Sequence, residues 1–133
     1  MIRVDASSFI PIYEQIKKEI VRLVATGQLK VHDPLPSIRD LAAEIIVNPN
    51  TVARAYRELE QDGLLSTQKG RGSFIADGAA PEASSKLKAY LGRIMDEAIA
   101  EAKTFDLGGD AILGLFEDRL RRSADRRRGG RHE

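Results

Sequence analysis

The chain has no cysteine and only two histidines, His32 and His132. The first absence excludes a disulfide framework and any thiolate metal site, and the second leaves too little imidazole for a histidine-rich one. Near the N-terminus, MIRVDASSFIPIYEQIKKEI has no apolar run of signal-peptide length, and no later stretch approaches the roughly 20 apolar residues of a membrane span. A soluble, cytoplasmic protein without membrane contact is the expectation. Internal repeats are missing, as is low-complexity sequence outside the C-terminal end. No nucleophile stands beside an obvious base, and 133 residues leave few to wall a pocket. Enzymatic chemistry is therefore not expected, nor is a metal or cofactor.

Net charge is close to balance at +1, but the charges are unevenly placed. Residues 1–77 hold ten basic and ten acidic side chains, residues 78–118 four and eight, and residues 119–133 seven arginines against two acids. A nucleic-acid face would have to come from local placement of a few cations, because the bulk field is weak. The arginine-rich end, 123–133, reads as a solvated, disordered tail.

Apolar residues at Ile12, Ile16, Ile20, Leu23 and Val24 repeat at helical spacing up to Gly27. After a connection punctuated by Pro34 and Pro36, Ser37 with Asp40 three residues on predicts the start of a short helix whose inner face is Ile38, Leu41 and Ile45. A second start follows at Asn48 and Pro49, since Asn caps well and Pro fits a first helical position that needs no N–H. Val52, Ala55, Tyr56 and Leu59 then face inward, leaving Asn50, Thr51, Arg54, Arg57 and Gln61 outside. Two short strands, 64–67 and 73–76, flank a Gly70-Arg71-Gly72 tip. Small residues in DGAAPEASS suggest a linker at 78–84. Beyond it come a helix over 85–103 and another capped by Asp110, with Ile112, Leu113, Phe116 and Leu120 inside.

A helix-turn-helix needs short hydrogen-bonding side chains at the start of its second helix, because that end enters the major groove. Asn50 suits an adenine edge, and Arg54, one turn on, reaches a guanine or a phosphate. Arg39 is placed to clamp the backbone, and Lys69 and Arg71 suit a contact from the wing. Each has an ordinary alternative: Asn-Pro is a common cap, Arg54 and Arg57 can pair with Glu58 or Gln61, and Arg39 with Asp40 or Glu44. Their fixed order over about forty residues favours DNA over an interaction adaptor built on the same scaffold.

The segment LPSIRDLAAEIIVNPNTVARAYRELEQDGLLSTQKGRGSFIA resembles the winged helix-turn-helix of the GntR family of bacterial transcription regulators, and PIYEQIKKEI resembles its first helix. With two helices after it, the chain resembles the YtrA subfamily of short homodimeric repressors. The resemblance implies a mainly α fold with a small β-hairpin wing, a winged helix-turn-helix over 1–77, and a two-helix dimerisation domain over 85–122. It implies double-stranded operator DNA as partner, an inverted-repeat site, and transporter genes as targets. Its DNA contacts fall on Ser37, Arg39, Asn48, Asn50, Thr51, Lys69, Gly70 and Arg71, with Arg54 adjacent. Many members carry Arg where Pro49 and Ala53 stand, so the operator is expected to differ. Many helix-turn-helix proteins have Gly where Ile46 stands. A positive φ would strain Ile46, so a different turn geometry is expected there.

Two helices cannot close a core alone at this length. Leu87, Tyr90, Leu91, Ile94, Met95 and Ala98, with Ile112, Leu113 and Phe116, are therefore expected to pack on a second copy of the chain. A small-molecule effector would find little room except at that dimer interface.

Overall fold

The computed structural model describes residues 2–130, so His132 and Arg131 lie outside the described residues. The chain falls into two compact units, Met1–Tyr90 and Leu91–Glu133.

The first unit is built on three helices and a hairpin. Helix α1, Ile12–Ala25, buries Ile16, Ile20, Val21, Leu23 and Val24, and Gly27 at φ +78° turns the chain away from it. Helix α2, Ile38–Ile45, begins as the sequence predicts, with Ser37 Oγ accepting the Asp40 N–H at 3.0 Å. Helix α3, Pro49–Gln61, is capped by Asn48, whose Oδ1 accepts from the Asn50 N–H at 2.8 Å. Its four predicted inward residues are all buried: Val52, Ala55, Tyr56 and Leu59 meet Ile16, Ile20, Leu41 and Leu64 in one core. Full burial of each large aliphatic among them contributes about 1.5–3 kcal/mol. Tyr56 also donates its hydroxyl to the Pro36 carbonyl at 2.7 Å, and burial, aided by the charge of Glu44, pushes its phenol pKa upward.

Strands β1, Leu65–Gln68, and β2, Gly72–Ile75, pair antiparallel with Leu65 opposite Ile75 and Gln68 opposite Gly72. The free edge of β2 is covered by residues 32–35. Pro34 bridges Phe74, Leu35 N–H donates to Ser73 and Ile75 N–H to Asp33. Sequence reading missed this third segment because two prolines punctuate it, yet an edge position tolerates proline.

Four local expectations are corrected. Ile38 is 38% exposed, and Ala42 at 3% takes the inner position beside Leu41. Ile46 adopts φ 56°, ψ 59°, the left-handed conformation that its β-branched side chain was expected to avoid. The tight connection requires it: Val47 N–H closes onto the Ala42 carbonyl at 3.0 Å, and two residues later α3 must start. Left-handed backbone at an L-residue costs roughly 1–2 kcal/mol. The supposed linker, 78–84, is largely helical, because helix α4 spans Ala79–Thr104, with Ala79 and Ala83 completely buried in the first unit's core. The boundary therefore lies inside α4, between Tyr90 and Leu91, instead of near Gly78. Lys86 pairs with Asp62 at 3.4 Å, and Lys18 sits 4.3 Å over the Tyr90 ring while donating to its hydroxyl at 2.5 Å.

In the second unit, Leu91–Thr104 of α4 are joined by a short turn to helix α5, Gly109–Gly130. Asp110 lies inside the first turn of α5, so it is not the cap. Ile112 is buried, whereas Leu113 and Leu120, expected inside, are 60% and 69% exposed. The helix continues through 123–130, where composition suggested disorder. Arginine is a good helix former, cations suit a helix C-terminus, and Arg122 pairs with Asp118 one turn back at 3.2 Å.

Candidate nucleic-acid interface

Helix α3 offers one wet face. Asn50, Arg54, Arg57 and Gln61 are exposed along it, and Thr51 is half-buried beside them. Little of the first turn's backbone is free to bind a phosphate. Pro49 has no N–H, Asn50 N–H is taken by Asn48 Oδ1, and Thr51 N–H reaches the Asn48 carbonyl at 3.0 Å. The helix dipole still favours anions there, but side chains must do the contacting. Asn48 has spent its oxygen on the cap and keeps its amide NH₂. Asn50 keeps both ends of its amide, as bidentate pairing with adenine requires. Ser37 is likewise committed to a cap, whereas Arg39 is exposed with no ion pair among the described residues.

Arg54, expected to reach a guanine or a phosphate, is exposed and makes two contacts within the chain. Its Nε donates to Glu58 Oε2 at 3.0 Å, and its guanidinium carbon lies 3.7 Å from the centre of the Tyr13 ring on α1. Glu58 also accepts from Lys17 Nζ at 3.1 Å. Hydrogen bonds from Lys17 and Arg54 hold the Glu58 carboxyl below its ordinary pKa. Burial works against the Lys17 ammonium, but the hydrogen bond and charge of Glu58, with Glu14 and Asp62 nearby, outweigh it and raise its pKa. The four residues tie α1 to α3. Arg57, in contrast, is exposed and has no ion pair or hydrogen bond among the described residues. It lies on the same outer face, two turns from Asn50.

The wing presents Lys69 and Arg71, both exposed. Arg71 N–H closes the tip onto the Gln68 carbonyl at 2.9 Å, with Gly70 at φ +81°, the pattern of a type II turn. Thr67 donates to Glu60 at 3.0 Å, which fixes the wing against α3. A cleft of about 300 Å³ opens beside the wing between His32, Gln68, Arg71, Phe74 and Asp77, where His32 Nε2 lies 3.0 Å from Asp77 Oδ1. No group of three or more His, Cys, Asp or Glu among the described residues can hold a metal. None of the described helices is long and apolar enough to cross a membrane.

Replacing Gly70 with Val places a β-branched residue at positive φ, where nothing crowds its Cβ but the backbone is strained. The fold should survive, with a loss of about 1–2 kcal/mol confined to the tip. DNA affinity should fall several-fold. Thermal melts beside binding curves check this, and normal binding by Gly70→Val would mean that the tip does not reach the duplex.

The expected dimerisation residues divide between the units. Leu87 and Tyr90 are half-buried within the first; Leu91, Ile94, Met95 and Leu113 stand exposed in the second, at 44–60%. Ala98 and Phe116 line an apolar hollow of about 300 Å³ with Ala102, Ile112, Leu115 and Arg119.

Three helices, a two-stranded wing and a capped second helix with an open polar face define a winged helix-turn-helix DNA-binding domain. The chain belongs to the GntR family of bacterial regulatory proteins, whose family pattern matches residues 12–75. It is 49% identical over 79 residues to the HTH-type transcriptional repressor YtrA of Bacillus subtilis, a match covering 59% of this chain and 61% of that protein. It is 37% identical over 104 residues to the HTH-type transcriptional regulator YhcF of the same organism, covering 77% and 84%. A transcriptional regulator from Oenococcus oeni has the same fold, with a TM-score of 0.74 and 33% identity over 88% of this chain and 97% of that one. The DNA-binding domain of AraR, solved in complex with operator ORX1, superimposes with a TM-score of 0.50 and 28% identity over 55% of this chain and 90% of that one. The family and these relatives are transcription regulators and not enzymes.

Proposed function

We propose that the chain is a cytoplasmic, homodimeric repressor that binds an inverted-repeat operator through α3 in the major groove and the wing beside it. The observation that carries the reading is the exposed apolar side chains of the second unit, where Leu91, Ile94, Met95, Leu113, Leu115 and Leu120 remain 44–69% exposed in one chain. So many exposed large apolar residues in a small protein call for a partner, and an identical one is the simplest. Two-fold symmetry then sets two recognition helices one DNA turn apart, about 34 Å. Repression is the activity named for the relative YtrA, and transporter genes as targets rest on the subfamily resemblance alone. A small effector would find its room at the dimer interface.

In this reading Asn50 reads a base, with Thr51 and the Asn48 amide beside it, while Arg39, Arg57, Lys69 and Arg71 hold phosphates. Arg54 supports α3 from the α1 side. A gel shift on the region upstream of the chain's own gene, titrated with salt, tests the function; no retarded band at low salt would leave the interaction-adaptor reading in its place. On an operator found this way, Asn50→Ala should cost about 1–3 kcal/mol on the preferred base and relax specificity there. Lys69→Ala should weaken all sequences alike and lower the salt slope by about one. Competition with single-base operator variants checks both, and equal losses on every variant for Asn50→Ala would remove it from base readout.

A further inference from the structure

Arg54 leaves most of its hydrogen-bonding capacity unspent. A guanidinium carries five N–H donors in one plane, and among the described residues only Nε of Arg54 has a partner, Glu58 Oε2 at 3.0 Å. The donors on its two Nη atoms are uncommitted there, and the side chain is 53% exposed. The contacts it does make fix the plane. Its guanidinium carbon lies 3.7 Å from the centre of the Tyr13 ring. The carboxylate that takes Nε is itself held, because its other oxygen accepts from Lys17 Nζ at 3.1 Å, and Lys17 also lies 3.8 Å from Asp62 Oδ2.

A free arginine loses rotamer entropy when it grips a ligand, whereas a stacked and hydrogen-bonded one has lost it on folding. Lys17 cancels the charge of Glu58, so the trio of Lys17, Glu58 and Arg54 still offers a net positive charge to an anion. Helix geometry places that charge. Arg54 follows Asn50 by four residues and precedes Arg57 by three, which puts the three side chains on one stripe of α3. Glu58, on the flank of that stripe, leads to α1.

We propose that Arg54 is a braced DNA contact whose Nη atoms grip a pair of operator acceptors, O6 and N7 of a guanine or two oxygens of one phosphate, and that Glu58 and Tyr13 are the positioning residues that hold the guanidinium for it. The inference rests on the proposed entry of α3 into the major groove, and it makes a residue of α1 part of what determines DNA affinity.

The test starts with the full-length protein and selection of bound duplexes from a randomised library. Failure to enrich any sequence would overturn the operator reading itself and, with it, this contact; an enriched operator on which Arg54→Ala binds like wild type overturns the contact alone. Arg54→Ala should lose roughly tenfold or more. Glu58→Ala should lose roughly threefold to tenfold, although removing an acid ordinarily strengthens DNA binding. In the Arg54→Ala background the same Glu58→Ala substitution should cost nothing, and the loss caused by Tyr13→Leu should vanish there as well. A damaged fold would cost affinity in both backgrounds, and Glu58→Gln repeats the cycle should Glu58→Ala melt below the assay temperature. Replacing each guanine by 7-deazaguanine, which lacks N7, and each phosphate by a methylphosphonate, which lacks the charged oxygen, tells the two acceptors apart. Wild type should lose affinity at one such site per half-site, and Arg54→Ala should be indifferent to it. Tighter binding by Glu58→Ala than by wild type, a Glu58 effect that persists without Arg54, or an Arg54→Ala variant that keeps the full penalty at every modified site would overturn the proposal.

Discussion

A fragment ending at Tyr90 should run as a monomer and bind a full operator about 10²–10⁴-fold more weakly than the intact chain. The fragment keeps every residue of the hydrophobic core, including Ala79, Ala83 and the partly buried Leu87, so it should fold. It lacks Leu91, Ile94, Met95, Leu113, Leu115 and Leu120, the exposed apolar side chains on which the homodimer reading rests. In the homodimer reading each head touches one half-site and a few phosphates only, and joining two heads makes the second contact intramolecular, which multiplies affinity without a new bond. The truncation should therefore act on full operators much more than on isolated half-sites, where fragment and intact chain should bind within a few-fold of each other. Sedimentation and parallel titrations decide it. A fragment that dimerises, or that binds the full operator as tightly as the whole chain, would give the second unit another task.

The contrast between the two halves of the molecule shows what could be read in advance. In α3 the spacing of Val52, Ala55, Tyr56 and Leu59 allows one inward face, and the Asn48-Pro49 pair allows one starting point, so both were legible. The order of helices and hairpin followed from the same kind of pattern. Three features resisted for different reasons. Alanine carries almost no hydrophobic signal, so Ala79 and Ala83 look like linker although both are fully buried in the first unit's core. Ile46 was judged by local strain, which the geometry of the connection overrode. Arg54 lies on the wet face of its own helix, but its actual environment is set by Tyr13, some forty residues earlier, and no periodicity within α3 carries that. Outward direction on one helix does not say which neighbour waits there.

The start of α4 offers the sharpest test of the packing. Ala83→Asp should destabilise the first unit by about 3–5 kcal/mol, since an isolated carboxylate would be forced into a core position that is 0% exposed, with no buried polar or charged residue in that core to pair with it. For a unit of this size each kcal/mol is worth about 4–8 °C, so the melting temperature should fall by more than about 10 °C. Ala80→Asp is the matched control. It lies in the same first stretch of α4 but is exposed, and an acid near a helix N-terminus is favoured by the dipole, so its melting temperature should stay within a few degrees of wild type. The two substitutions have the same chemistry, nearly the same sequence position and opposite burial. If 78–84 were the linker that its composition suggests, the two would melt alike. A wide gap between them would show that the start of α4, at Ala79 and Ala83, is part of the DNA-binding unit's own core.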